Sequence, residues 1–142
     1  MKNFIEKLPM DIVLLIIPYT YNLQQKTLLN DIVNYNESKT LLLQKYYNFW
    51  TIVMQEPNPE EYKNWMINDI LGYANRYEAL MYGYTENFYN IFKRNTFLQT
   101  DEDIEKYMGS LTKKDVSTQI NIFLGLFHQN ERNDIVNAAI EM

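Results

Sequence analysis

The 142-residue sequence contains no cysteine, a single histidine, and only four glycines and four prolines. Without cysteine the chain can form neither a disulfide framework nor a thiolate metal site, and one histidine cannot form a two-histidine metal site. The glycines are isolated from one another, so no glycine-rich loop is present to cradle a phosphate group. These absences argue against the common metal-dependent, cysteine-dependent and nucleotide-dependent enzymes, and we expect no cofactor and no metal.

The sequence also lacks a long hydrophobic run. Residues 12–17 form an apolar stretch of six, and Pro18 ends it, whereas a membrane-spanning helix needs about 20 apolar residues. Asp11 precedes the stretch and no small-residue cleavage site follows it, which argues against a signal peptide. The sequence therefore predicts no membrane span and a protein that is not secreted.

A basic surface is absent as well. The formal net charge is −5, and the pairs Lys93-Arg94 and Lys113-Lys114 stand alone rather than along a stripe. Proteins that bind the phosphate backbone of nucleic acids usually carry clustered lysine and arginine. We therefore expect no nucleic-acid partner.

Apolar residues make up 46% of the chain and aromatic residues 15%, and they recur mostly with the period of an α-helix. The pattern predicts an all-α fold, a compact bundle of about seven to eight helices with no sheet. The first helix would run from Pro9 to residue 17, the second over about 23–35, the third from a cap at Asn36, and the fourth over about 59–82.

Polar caps and glycines predict the later boundaries. Gly83 would end the fourth helix, and Thr85 and Thr100 would cap the next two. Gly109 would end the helix that Thr100 opens. A capping box at residues 112–115 and a restart at Asn130 would open the last two helices.

The clearest break in the chain is EPNPEE, residues 56–61, where two prolines stand within four residues. Proline ends a helix and is favoured at the first position of the next one. We therefore expect an N-terminal helical segment over 1–56 and a C-terminal helical region over 58–142, packed together as one globular unit.

Candidate catalytic groups have simpler structural interpretations. His128 is predicted at a helix end, where the helix dipole favours an imidazolium, so we interpret it as a cap. The densest acidic cluster, Asp101, Glu102, Asp103 and Glu105, would occupy the first turn of a helix, where carboxylates complement the dipole. The pair at residues 60–61 has the same interpretation. An enzyme that uses two carboxylates remains a third hypothesis, behind the two considered below.

The aromatic residues around EPNPEE allow two interpretations. They are Tyr46, Tyr47, Phe49 and Trp50 before the break, and Tyr62 and Trp65 after it. Packing in the core is the interpretation we favour, but they could also form an exposed anchor patch, because tryptophan and tyrosine dominate protein-interface hot spots. The fourth predicted helix carries more large apolar side chains than a single buried stripe needs, which favours a partner.

The opening stretch LPMDIVLLIIPYTY resembles the start of an F-box, with matching residues at Leu8, Pro9, Asp11, Ile12 and Ile16. Residues 16–35 resemble the N-terminal segment of uncharacterised proteins of nucleocytoplasmic large DNA viruses. The likeness covers about residues 5–52. It implies a helical docking module for a Skp-type cullin adaptor, with residues 58–142 recruiting a substrate.

Two main functional hypotheses follow. The first is a non-enzymatic interaction module, of viral origin, that docks a protein partner through its N-terminal helices in the host cytoplasm. Its expected partner-binding residues are Leu8, Pro9, Ile12, Ile16, Trp50 and Trp65. The second is a structural component of a virus particle that contacts other virion proteins. The sequence leaves homo-oligomerisation open.

Overall fold

The computed structural model describes residues 26–58 and 60–142, which contain six α-helices and no strand. The helices are α1 (Lys26–Asn48), α2 (Glu61–Ala74), α3 (Glu86–Phe92), α4 (Asp101–Leu111), α5 (Val116–Leu126) and α6 (Gln129–Ile140). A π-helical turn, Phe49–Val53, follows α1, and a 3₁₀ turn, Leu80–Tyr82, lies between α2 and α3. The all-α prediction is confirmed, but the count of seven to eight helices is not supported. The first predicted helix lies outside the described residues.

The chain divides into two compact units, Met1–Val33 and Asn34–Met142. The described part of the first unit is the beginning of α1. Every site considered below lies in the second unit. The predicted division into an N-terminal segment, 1–56, and a C-terminal region, 58–142, concerns function and stays a prediction.

The predicted break at Asn36 is wrong, because α1 continues through it as one helix of 23 residues. No proline or glycine interrupts residues 26–48, and a cap-forming residue does not by itself end a helix. Ser38, Leu42 and Tyr46 recur at a spacing of four and are all buried. Burial of this face keeps the backbone helical where propensity alone predicted a boundary.

The end of α2 also differs from the prediction, since the helix stops at Ala74 rather than near residue 82. The N–H of Arg76 donates to the carbonyl of Tyr73, and the N–H of Tyr77 donates to the carbonyl of Gly72. This pair of bonds is a Schellman motif, with Arg76 in the left-handed conformation at φ +51°. The position usually carries glycine, so a prediction based on residue type misses this helix end.

Asn75 organises the loop after α2. Its side chain is fully buried; Nδ2 donates to the carbonyls of Glu78 (2.9 Å) and Gly83 (3.3 Å), and Oδ1 accepts from the N–H of Thr85 (2.7 Å). Gly83 has φ +97° and ψ 179°, a conformation that only glycine adopts readily. A buried amide and a glycine together turn the chain into α3.

Two of the predicted caps are confirmed. Thr85 caps α3 by accepting from the N–H of Phe88, and Thr100 caps α4 by accepting from the N–H of Asp103 at 3.1 Å. The predicted stop at Gly109 is wrong, because α4 continues to Leu111.

The boundaries of the last two helices also move. The cap of α5 is Asp115, which accepts from the N–H of Thr118, rather than a box opened by residue 112. The last helix, α6, has its N-cap at His128, two residues before the predicted restart at Asn130. His128 therefore directly follows Phe127, the C-cap of α5, and is at the same time the N-cap of α6.

The core of the second unit lies mainly between α2 and α5, with α3 and α4 closing it. The rings of Phe88, Phe92 and Phe123 are fully buried, and their centroids lie 5.0–6.3 Å apart. Each of these rings buries a large apolar area and also contacts its neighbours edge to face or tilted, which adds to the stability gained from burial.

Arg132 is the one charged residue in the described core, with 1% of its surface exposed. Its Nη1 donates to the carbonyls of Leu124 (2.9 Å) and Phe127 (3.0 Å), and its Nε donates to Oδ1 of Asn34 (2.7 Å). A cation at the C-terminal end of α5 is favoured by the helix dipole. Through these bonds α6 holds both α1 and α5.

Candidate functional site

The candidate site begins where α1 ends. The N–H of Met54 donates to the carbonyl of Phe49, five residues earlier, at 3.0 Å, and this hydrogen bond defines the π-helical turn. From within the turn, Nε1 of Trp50 donates to the carbonyl of Asn58 at 2.7 Å. This bond holds the proline-containing loop against the end of α1 and so brings the start of α2 beside it.

The two helix ends enclose an apolar cleft of about 220 Å³, which we call the aromatic cleft. Five of its eight lining residues are aromatic, two are methionines and one is a carboxylate. They are Tyr46, Phe49, Trp50, Met54, Tyr62, Trp65, Asp69 and Met142.

The rings are packed in pairs across the junction of α1 and α2. The centroids of Trp50 and Trp65 lie 5.7 Å apart, and those of Tyr47 and Tyr62 lie 5.4 Å apart at an interplanar angle of 83°. Trp50 is 9% exposed, whereas Trp65 is 54% exposed. Trp50 therefore forms part of the buried wall of the cleft, whereas the ring of Trp65 is accessible to a bound group.

A single polar pair stands at the edge of the aromatic cleft. The hydroxyl of Tyr46 donates to Oδ2 of Asp69 at 2.6 Å. Burial raises the pKa of Tyr46 well above its ordinary value of 10, and the hydrogen bond to Asp69 and the negative charge of that carboxylate raise it further. Tyr46 thus stays protonated at neutral pH and acts as a donor that orients the carboxylate, rather than as a base or nucleophile.

Apolar surface continues beyond the aromatic cleft. A neighbouring cleft shares Phe49 and Met142 with it, and a further cleft shares Lys45 and Ala139 with that neighbour. Large apolar side chains with 46–67% of their surface exposed lie along this path, and we call them the apolar strip: Leu41, Ile52, Val53, Met54 and Ile140. Several large apolar side chains exposed close to one another are typical of an interaction site.

The structure brings together two of the six predicted partner-binding residues, Trp50 and Trp65. The other four, Leu8, Pro9, Ile12 and Ile16, lie outside the described residues. Their role in docking stays a prediction, as does the binding role of the two tryptophans.

The predicted acidic cluster lies at the start of α4. Asp101, Glu102 and Asp103 occupy the first turn of α4, and Asp101 pairs with Lys93 at 2.9 Å. Glu105 accepts from the hydroxyl of Tyr89 at 2.8 Å; this bond, together with burial and nearby negative charge, raises the pKa of Tyr89 to about 12. Over residues 26–58 and 60–142, no three aspartate, glutamate or histidine side chains are grouped so as to hold a metal ion.

Sequence reasoning missed a second, polar cleft of about 390 Å³ beside the Schellman turn. Its lining residues come from three separate parts of the chain: Tyr73, Arg76, Tyr77, Asn87, Asn130 and Glu131. Glu131 forms a two-pronged ion pair with Arg94, whose Nη1 also donates to the carbonyl of Leu126 at 3.0 Å. No local sequence pattern marks these residues, because only the fold makes them neighbours.

Comparisons of the chain with protein-family models, with curated proteins and with solved structures found no match. No helix in the described part of the chain is both long and apolar enough to cross a membrane.

Proposed function

We propose that this protein is a non-enzymatic protein–protein interaction module that contacts its partner through the aromatic cleft and the apolar strip. The observation that carries the proposal is the half-exposed ring of Trp65 beside an apolar cleft that is otherwise built from buried or partly buried aromatic side chains. Exposed tryptophan next to a preformed pocket is typical of interface hot spots.

The chemistry of the cleft supports binding rather than catalysis. Its one carboxylate, Asp69, accepts a hydrogen bond from a tyrosine that stays protonated. Its other lining side chains are aromatic rings and thioethers. General acid–base or nucleophilic catalysis requires a titratable group poised near neutral pH against a second reacting group.

The resemblance of the opening stretch to an F-box and to viral proteins adds a second binding region and a named class of partner to this proposal. In that extension, residues 8–16 dock a Skp-type adaptor in the host cytoplasm, and the aromatic cleft recruits a second protein. A structural role in a virus particle is the competing function, in which the same surface would contact other virion proteins. The two differ in the identity of the partner that the surface holds.

The test is affinity purification of the tagged full chain from its native or infected host cells, followed by reconstitution of the complex from purified components. Trp65→Ala should remove a partner that binds the aromatic cleft, because the substitution deletes the exposed ring without touching the core. Phe97→Ala is the matched control, since this ring is 89% exposed and does not line the cleft.

Recovery of a Skp-type adaptor and its cullin with the tagged chain, and their loss when Leu8 and Ile12 are changed, would support docking to the adaptor. Recovery of virion proteins instead would support the structural role. Partner binding in the reconstituted complex that is equal for wild type, Trp65→Ala and Phe97→Ala would contradict the proposed site.

A further inference from the structure

We propose that the aromatic cleft binds the methylated ammonium group of a lysine side chain in a protein partner. This inference rests on the proposed interaction function and adds the chemical class of the group that is bound.

The size of the cleft favours one side chain over a whole ligand. Its volume of about 220 Å³ is below the roughly 300–1,000 Å³ that is typical of sites for drug-sized ligands and cofactors. A single long side chain that enters end-on fits this space. The apolar strip beside the cleft offers further surface for the rest of the partner.

The composition of the cleft favours a cation. The faces of aromatic rings carry negative potential and attract cations within about 6 Å, most strongly for tryptophan. The lining contains five aromatic residues and one carboxylate, and none of its described residues is a lysine, arginine or histidine. Nothing in that lining opposes a positive charge, and Asp69 attracts one.

One ring of the cleft already lies near a cation within the chain. Nζ of Lys63 is 5.8 Å from the ring centroid of Tyr62. Lys63 does not line the cleft, and its charge is paired with Glu60 at 3.3 Å. The contact places an ammonium group near one ring of the cleft, on the outside of the cleft.

The number of hydrogen-bond acceptors selects among cations. An unmodified lysine has three N–H donors and an arginine has five, and each donor that is buried without an acceptor is costly. The one carboxylate of the lining, Asp69, already accepts from Tyr46 through Oδ2, so it offers fewer acceptor sites than the three or five donors of these cations require. A dimethylammonium group has one donor and a trimethylammonium group has none, while both keep the positive charge. Methylated lysine therefore matches this lining better than either unmodified cation.

The chain itself provides a specific signal for the test. It contains two tryptophans, and both line the aromatic cleft. Intrinsic tryptophan fluorescence and the two indole N–H resonances therefore report on this cleft without any label. The measurement uses the full chain.

Four blocked amino acids serve as probes: trimethyl-lysine, dimethyl-lysine, unmodified lysine, and the neutral isostere in which carbon replaces the quaternary nitrogen. We expect a methylated lysine to bind about tenfold more tightly than the neutral isostere, which corresponds to a typical cation–π contribution. Trp65→Ala should weaken this binding by a similar factor, and Phe97→Ala should leave it unchanged. Asp69→Asn should weaken the binding of dimethyl-lysine more than that of trimethyl-lysine.

Two results would overturn the inference. Equal or tighter binding of the neutral isostere would make the cleft a site for an ordinary apolar side chain, and the proposed interaction function would stand. The absence of any change in either indole signal with all four probes at millimolar concentration would exclude side-chain capture by this cleft. The proposed interaction function is tested by a different measurement, the binding of the protein partner to wild type and Trp65→Ala in the reconstituted complex. Its failure can therefore be distinguished from failure of the methyl-lysine inference.

Discussion

The rings of Trp50 and Trp65 lie with their centroids 5.7 Å apart at an interplanar angle of 44°, one fixed and one exposed. Trp50 is anchored by its hydrogen bond to the carbonyl of Asn58. Trp65 stands on α2, one turn after the helix begins, and has no comparable bond among those that the structure shows for the described residues. The pair therefore separates two roles, since Trp50 closes the loop and Trp65 remains available for contact.

The first prediction concerns Trp50. Trp50→Phe keeps an aromatic ring but removes the donor to Asn58, so we expect the free energy of unfolding to fall by about 1–2 kcal/mol. Urea denaturation followed by circular dichroism measures this change. Trp65→Phe is the control, and we expect it to stay within about 0.5 kcal/mol of wild type. Equal effects at the two positions would contradict the separation of roles.

The second prediction concerns Arg132. Arg132→Met keeps much of the aliphatic volume but removes the donors to the carbonyls of Leu124 and Phe127 and to Asn34. Loss of a buried hydrogen-bond network should lower the free energy of unfolding by about 3 kcal/mol. Lys93→Met removes an exposed ion pair instead and should cost about 0.5 kcal/mol or less. A loss below about 1 kcal/mol for Arg132→Met would show that the network adds little stability.

The third prediction concerns the pH dependence of stability. Burial works to raise the pKa of Glu131, but hydrogen bonds from Arg94 and from the N–H of His128, with the charge of Arg94, outweigh it and hold the pKa below its ordinary value of 4.5. The folded state therefore binds this proton more weakly than the unfolded state. The resulting stabilisation is fully present above the unfolded pKa and is lost as the pH falls through the folded pKa.

Unfolding measured in urea between about pH 7 and pH 3 tests this linkage. Wild type should lose more stability over the acidic part of the range than Glu131→Gln, which has no proton to take up. Arg94→Gln should also reduce the loss, because it removes the positive charge and the two-pronged guanidinium hydrogen bonds that lower the pKa of Glu131. Parallel curves for all three proteins would contradict the assignment.

The fourth prediction compares glycines in two backbone conformations. Gly109 and Gly125 lie within helices, and a Cβ added at either meets no atom within 4 Å. Substitution by alanine should raise the free energy of unfolding by about 0.5–1 kcal/mol at each position. Gly83→Ala should lower it by about 1–3 kcal/mol because of the conformation at φ +97°. Thermal unfolding measures all three, and a stabilising Gly83→Ala would contradict the backbone argument.

Features that side-chain chemistry marks locally could be predicted from the sequence. Thr85 and Thr100 predict helix starts, and the prolines on either side of Asn58 predict the break between α1 and α2. The sequence identifies the aromatic residues on either side of that break as a group, but it leaves both core packing and an exposed patch open. The bond from Trp50 to Asn58 and the packing of Trp50 against Trp65 are seen only in the structure.

The remaining features depend on tertiary contacts that no short pattern carries. Arg76 ends α2 in a conformation that usually requires glycine, and Asn36 lies inside α1 although its residue type predicts a helix cap. Arg132 is charged and would be expected at the surface, yet it is buried against carbonyls at the end of α5 and against Asn34 of α1. Asp69 reaches the cleft because it stands one helical turn beyond Trp65, and its pairing with Tyr46 appears only when α1 and α2 are side by side.

The π-helical turn at Phe49–Val53 has a consequence for sequence variation at this site. A bond spanning five residues accommodates one residue more than an α-helical turn, and each residue advances the side-chain direction by about 100°. Deleting one residue here would let the segment continue as an α-helix with the later side chains near their present directions, whereas deleting one residue from the α-helical part of α1 would turn them by about 100°. The arrangement of the cleft therefore depends on the number of residues in α1 as well as on their types, and a deletion before the turn would displace the cleft side chains without changing any aromatic residue.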